Sequence, residues 1–229
     1  MIIAAALCPA PPLLLPGLTG AADVLPELRA ACADAVRELV AAGPDLVAVV
    51  GPAETTAAWD PAARTALALY APGLLGAGFD DAALLPVSLG VGSWLLDQGG
   101  FAGARQLRSV AGSESVGACA QVGKEIAGLP GRVALLVLAD GSACRGLKAP
   151  GYFDERSAGF DAEVERALRT GDLDALLAID PSLASELMAA GRPAWQVLAG
   201  ALGGQVVASE IRYCDDPFGV AYLVASIRV

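Results

Sequence analysis

The stretch IIAAALCPAPP, residues 2–12, decides how the chain is read. Seven apolar residues from Ile2 to Cys8 follow one another with no polar interruption, the pattern of a strand buried on both faces. Pro9, Pro11 and Pro12 then fix the backbone and withdraw their N–H groups, so the run ends in a stiff corner rather than a flexible loop. Such a corner is rigid enough to aim a side chain, and here it aims the methyl of Ala10.

Outward from this strand, Asp23–Ala42 places Leu25, Leu28, Cys32, Val36 and Leu39 at spacings of three and four, before a Gly43-Pro44 stop. That spacing predicts an amphipathic helix. Leu46–Gly51 is a second buried strand, and strand, helix, strand in this order argues for parallel pairing. Residues 54–83, rich in Ala and Gly, read as irregular structure with a short strand or helical turn. Leu85–Leu89 reads as a further strand, and a short helix is expected from Ser93 to Gln98. Ser113–Ala127 fits a helix with Ser113 as its cap, and Val133–Ala139 is the clearest central strand. Helical segments are expected at Asp161–Thr170, Leu173–Ile179, Asp180–Met188 and Pro193–Leu202, with Asp161 opening the first of them. Gln205–Tyr213 and Gly219–Val229 close the chain as an antiparallel hairpin on a sheet edge. The expected architecture is α/β: one domain over residues 1–229, three layers, a mostly parallel central sheet flanked by helices, and the C-terminal hairpin.

Composition narrows the function. With 25 Asp and Glu against 15 Lys and Arg, the formal charge is −10, and no basic stripe offsets it, so nucleic acid is not an expected partner. Although 55% of residues are hydrophobic, Gly and Pro break up the apolar runs, and no membrane span is expected. No basic residue precedes the N-terminal apolar run, which argues against a cleaved leader. Five cysteines without a CxxC spacing read as reduced thiols in a cytoplasmic protein. There is no histidine, which removes Ser-His-Asp and Cys-His catalysis and every His-ligated metal site.

In α/β sheets the functional crevice lies beyond the carboxyl ends of the strands. Three strands end in Pro- or Gly-bearing corners: Cys8–Pro12, Gly51–Glu54 and Asp140–Cys144. These are expected to meet at one crevice.

The motifs CPAPPLLLPGL, VVGPAE and LADGSACR, followed in order by GYFDERSAGFDAEVERAL, MAAGRPAWQVLAGAL and DPFGVAYLVASIRV, resemble the class III extradiol ring-cleavage dioxygenases, the subunit-B-like group that includes the Memo proteins. The resemblance runs through most of the chain. It implies a facial triad of two histidines and a carboxylate on Fe(II), a further acid/base histidine, and, in Memo-type members, a cysteine near the carboxylate. Carried over residue by residue, the three histidine positions fall on Ala10, Ala53 and Ala143, and the cysteine position on Ala190. A methyl neither ligates a metal nor moves a proton, so ring cleavage does not follow from the resemblance.

The polar neighbours left at these corners are Cys8, Glu54, Asp140, Ser142, Cys144 and Arg145. Cys8, Glu54, Asp140 and Cys144 form an alternative set for a divalent metal, zinc or iron, with sulfur favouring zinc. Arg145, with its two-pronged guanidinium, is the better candidate than Lys148 for contact with an anion. The expected function is thus a degenerate dioxygenase-like protein without iron or other cofactor, serving in ligand binding or protein interaction and forming a homo-oligomer. The alternative is an active oxidoreductase or metal-binding enzyme with a rebuilt Cys/Asp/Glu site.

Overall fold

The computed structural model describes residues 1–15, 18, 24–63, 84–205 and 207–229. In chain order the elements are β1 (Ile2–Cys8), a 3₁₀ turn (Pro12–Leu14), α1 (Pro26–Ala41), β2 (Leu46–Ala53), β3 (Ala57–Trp59), α2 (Val87–Gln98), β4 (Ala104–Ala111), α3 (Val116–Ala127), β5 (Val133–Leu138), α4 (Arg156–Thr170), α5 (Leu173–Leu177), α6 (Pro181–Glu186), α7 (Arg192–Leu202), β6 (Ala208–Asp215) and β7 (Tyr222–Arg228).

The continuous apolar runs do form the buried strands: every residue of Val133–Leu138 is buried, as are Val47–Val50 and Ala4–Cys8. Because side chains alternate across a strand, Val133, Leu135 and Val137 join one core while Ala134, Leu136 and Leu138 join the other. The first core is covered by α3, α4, α5 and α7, the second by α1 and α2, so the molecule is a three-layer α/β fold. The second layer pair is where the strand-end crevice forms.

The sheet has seven strands in the order β3-β4-β2-β5-β1-β7-β6. It is mixed rather than mostly parallel. The inner strands β4, β2, β5 and β1 run parallel, but β3 pairs antiparallel with β4, β7 with β1 and β6 with β7. For β6 and β7 the reason lies in the connection: parallel neighbours need a long crossover, and these two are joined by a short loop. The C-terminal hairpin is present as expected, β6 and β7 joined by a short loop at the sheet edge.

Several local expectations are corrected. Leu85–Leu89 is not a strand: Leu85 keeps a single bridge, and from Val87 the chain is already helical, with Pro86 at the cap. β4 had no counterpart in the sequence reading. The cap of α3 is Ser115, whose hydroxyl accepts from the Ala118 N–H at 3.2 Å, rather than Ser113. The expected helix at Asp161 begins five residues earlier, at Arg156, which moves Asp161 from an opening position to the body of α4. Of the irregular segment 54–83, the described part holds the short strand β3, while 64–83 and Asp23 lie outside the described residues.

One contact shows how tightly the layer opposite the crevice is set. A Cβ at Gly123 on α3 would overlap the Val197 carbonyl, and one at Gly200 on α7 would overlap backbone at Ala120, so these two helices touch main chain to main chain. Among the described residues no helix is long and apolar enough to cross a membrane.

Candidate ligand crevice

β1, β2 and β5 end side by side, and the space beyond their carboxyl ends is a cavity of about 610 Å³. Ala10 and Pro11 reach it from the corner after β1, Pro52, Ala53 and Glu54 from the end of β2, and Asp140 from just beyond β5. Trp59 of β3 and Ser88 of α2 close the side. The position of Asp140 follows from the alternation along β5: it shares parity with Leu136 and Leu138 and therefore projects to the same face as Cys8 and Ala10.

Polar groups in the cavity are held by the frame. An Asp140 carboxylate oxygen accepts the Ala10 backbone N–H at 2.8 Å, tying the first and third corners together. Burial pushes the Asp140 carboxyl up to about 6, and the Ala10 N–H offsets only part of that rise. Its carboxyl is therefore poised between neutral and ionised forms just below physiological pH. Tyr222, buried beside it, has its phenol pushed well above the usual range, first by burial and then by the Asp140 charge. The Ser88 hydroxyl donates to the Pro52 carbonyl at 2.8 Å, and the Trp59 indole N–H donates to Ser109 at 2.8 Å, so neither is free to swing into the space. Glu54 stands exposed at the rim. Among the described residues no Lys or Arg lines the cavity. The arrangement offers an apolar box with acceptors and no cation, suited to a molecule that donates hydrogen bonds or carries positive charge.

The third corner contributes less than expected. Past Asp140 the chain turns to the opposite side of the sheet. Gly141 lies against Ala221, and the Ser142 N–H and hydroxyl donate to the two carboxylate oxygens of Asp161 at 2.9 and 2.5 Å. Asp161 is thus a clamp on the corner rather than a helix cap. Burial raises its carboxyl above the ordinary value against the pull of the Ser142 bonds. Arg145 is occupied too: its Nε donates to Asp216 at 2.7 Å and lies 3.8 Å from Asp161. The anion contact expected of Arg145 is already filled by these two carboxylates.

Ala10 and Ala53 therefore face one cavity, whereas Ala143 and Ala190 do not join them. The Ala143 N–H is spent on the Leu187 carbonyl at 2.9 Å, and Ala190 lines a separate cavity beside Met188 and Arg192. The alternative metal set is divided likewise. Cys8 is fully buried behind Ala10 in the α1/α2 core, where it raises the thiol of Cys32 beside it. Cys144 is buried in the opposite core, its thiol directed at the Leu187 and Gly151 carbonyls at 3.4 and 3.5 Å. Among the described residues no three His, Cys, Asp or Glu side chains are grouped to hold a metal ion. The lining thus does not fit the iron site that the resemblance implies.

Sequence reasoning missed Ser88 and Trp59 as lining residues. Ser88 was hidden in a supposed strand, and Trp59 carried no signal beyond being a large aromatic.

The chain matches no protein-family description, and no curated protein matches it. Among solved structures it is similar to the uncharacterized protein JW3007 from Escherichia coli K12, with a TM-score of 0.56 at 15% identity over 99% of this chain and 100% of that one. At that identity the likeness speaks for a shared fold over the full length and for nothing about activity.

Proposed function

We propose that this chain is an extradiol-dioxygenase-like protein that has lost its metal centre and keeps the strand-end crevice to bind a small, mostly apolar molecule bearing an amine or hydroxyl. The observation that carries the reading is the meeting of Ala10, Ala53 and Asp140 on one cavity. Two of the positions where the resembled family sets metal-binding histidines hold methyls, in the geometry that would have presented them. The residual carboxyl of Asp140, half-buried and bonded by Ala10, supplies the specific contact, and Pro11, Pro52 and Trp59 supply apolar surface. The same reading takes the protein as cytoplasmic and self-associating, supported by five free cysteines and by the exposed Leu147, Tyr152 and Phe153.

Two measurements test it. Elemental analysis of protein purified without chelator is expected to find iron and zinc far below one per chain; stoichiometric metal overturns the reading. Titration with aromatic amines and alcohols, followed by tryptophan fluorescence, is expected to show saturable binding that weakens about tenfold or more in Asp140→Asn, the cost of losing one charge-assisted hydrogen bond. Binding unaffected by that change places the ligand elsewhere.

A further inference from the structure

Arg192, the first residue of α7, is 2% exposed, yet among the described residues no carboxylate forms an ion pair with it. Taking a guanidinium out of water costs several kcal/mol unless its charge and its donors are matched. The donors are matched in part. Nη1 donates to the Glu114 carbonyl at 2.8 Å and to the Gln196 side-chain oxygen at 2.9 Å, with the Cys119 sulfur at 3.8 Å, and Nη2 donates to the Gly112 carbonyl. A guanidinium has five N–H bonds. Nε–H and the second N–H of Nη2 have no acceptor among the described residues.

Arg192 also borders open space. Arg192 lines a cavity of about 340 Å³ with Pro181, Ala184, Met188, Ala190 and Pro193. This cavity lies on the α7 side of the sheet, at the carboxyl end of β4, apart from the crevice of Ala10 and Asp140. Its walls are mostly apolar, with Ser185 the one other polar side chain, and among the described residues Arg192 is the one charged residue lining it.

We propose that this cavity is a second binding site, for a small monocarboxylate with an apolar body. A carboxylate presents two oxygens to two parallel N–H groups, the geometry a guanidinium edge is built for, and it supplies the missing countercharge. One positive charge matches one negative charge. A dianionic phosphate would leave a charge unmatched in a mostly apolar pocket. The apolar walls select for a hydrocarbon body rather than a hydrated one.

The probe is sodium benzoate, compared with benzamide, which keeps the ring and lacks the charge, and with inorganic phosphate at matched ionic strength. Calorimetry on the full chain is expected to show saturable one-site benzoate binding. The ¹⁵N-resolved Nε–H resonance of Arg192 should shift with the same saturation, and binding should weaken about tenfold or more in Arg192→Gln. Because Arg192 also ties down Gly112 and Glu114, that variant carries a folding risk. Ala190→Phe, at an exposed wall residue, fills the cavity and leaves the guanidinium in place, so it should fold and lose benzoate. Benzamide binding as well as benzoate, phosphate binding better, an unmoved Arg192 resonance, or full binding retained in Ala190→Phe each overturns the proposal. Metal analysis and the Asp140→Asn titration do not report on this cavity, so its failure and that of the crevice reading are separable.

Discussion

The two sides of the β5 carboxyl end are built from the same few residues and treat polarity in opposite ways. On the crevice side, Asp140 faces open space, with the Ala10 N–H donating to it and methyls across from it. On the far side, two residues later, Ser142, with Arg145, Asp161 and Asp216, forms a closed network in which the groups satisfy one another. Asp140 joins the two sides: its side chain belongs to the crevice, and its carbonyl accepts the Gly191 N–H at 2.8 Å at the start of α7. A run of polar residues at a strand end is therefore not in itself a site. What distinguishes the two is whether each group is already consumed by its neighbours.

The contrast breaks most visibly at Asp161. Replacing it by Ala leaves the Ser142 N–H and hydroxyl without acceptors and removes one of the two carboxylates flanking Arg145. Leaving two buried donors unsatisfied costs about 1–3 kcal/mol each. Asp161→Ala should then lose about 4 kcal/mol of unfolding free energy in a urea titration. Asp161→Asn, which keeps one acceptor, should lose about half as much. A loss under about 1 kcal/mol would mean that the network is surface decoration.

This is also where the sequence was least legible. The partners Ser142 and Asp161 are 19 residues apart on a strand corner and a helix body, a pairing no local pattern announces, so an acidic residue at that place reads as opening a helix. The buried strands were legible because a strand covered on both faces must be apolar throughout, and β1, β2 and β5 begin at the residues the apolar runs give. β4 was not, since ARQLRSVA interleaves two arginines with its apolar residues: it lies next to the short margin strand β3 and is only partly covered. α2 was misread because VSLGVG, with its glycines and β-branched valines, has the composition of a strand. The helix is secured by packing, with Gly92 letting it lie against Val49 and Leu138. Of the crevice, the corners Ala10, Ala53 and Asp140 were visible in advance because rigid Pro-bearing strand ends must converge where parallel strands end together. The absence of Ala143 and Ala190 from it followed from the turn at Gly141, which no residue count discloses.

A smaller effect, opposite in sign, is expected at Asp140. Its folded carboxyl titrates at about 6, against roughly 3.9 for an exposed aspartate. A raised acid favours the fold when protonated, so its stabilising contribution is complete below about pH 4 and is lost as pH rises through 6. Asp140→Asn keeps an acceptor for the Ala10 N–H and cannot ionise. The difference in unfolding free energy, variant minus parent, should therefore climb between pH 4 and 6 to a plateau of about 2–3 kcal/mol in favour of the variant. A flat difference across that range would show that Asp140 is as well solvated as a surface carboxylate, and the distinction between the two sides would fail. A more stable variant that binds less is the expected mark of a residue kept for binding.

The smallest effect separates the two carboxylates of the crevice. Glu54 is exposed at the rim, so Glu54→Gln should change stability by less than about 0.5 kcal/mol. Its attraction for a charged ligand is that of a solvent-exposed ion pair, about 0.2–1 kcal/mol, and is screened by salt. For a cationic amine, the variant should bind up to about fivefold more weakly at low ionic strength and equally at 1 M salt, while a neutral alcohol should not distinguish the two proteins. Asp140, half-buried and bonded to the backbone, should discriminate among ligands at either ionic strength. If both carboxylates respond to salt alike, the crevice is a charged surface rather than a site; if only Glu54 does, recognition resides at Asp140.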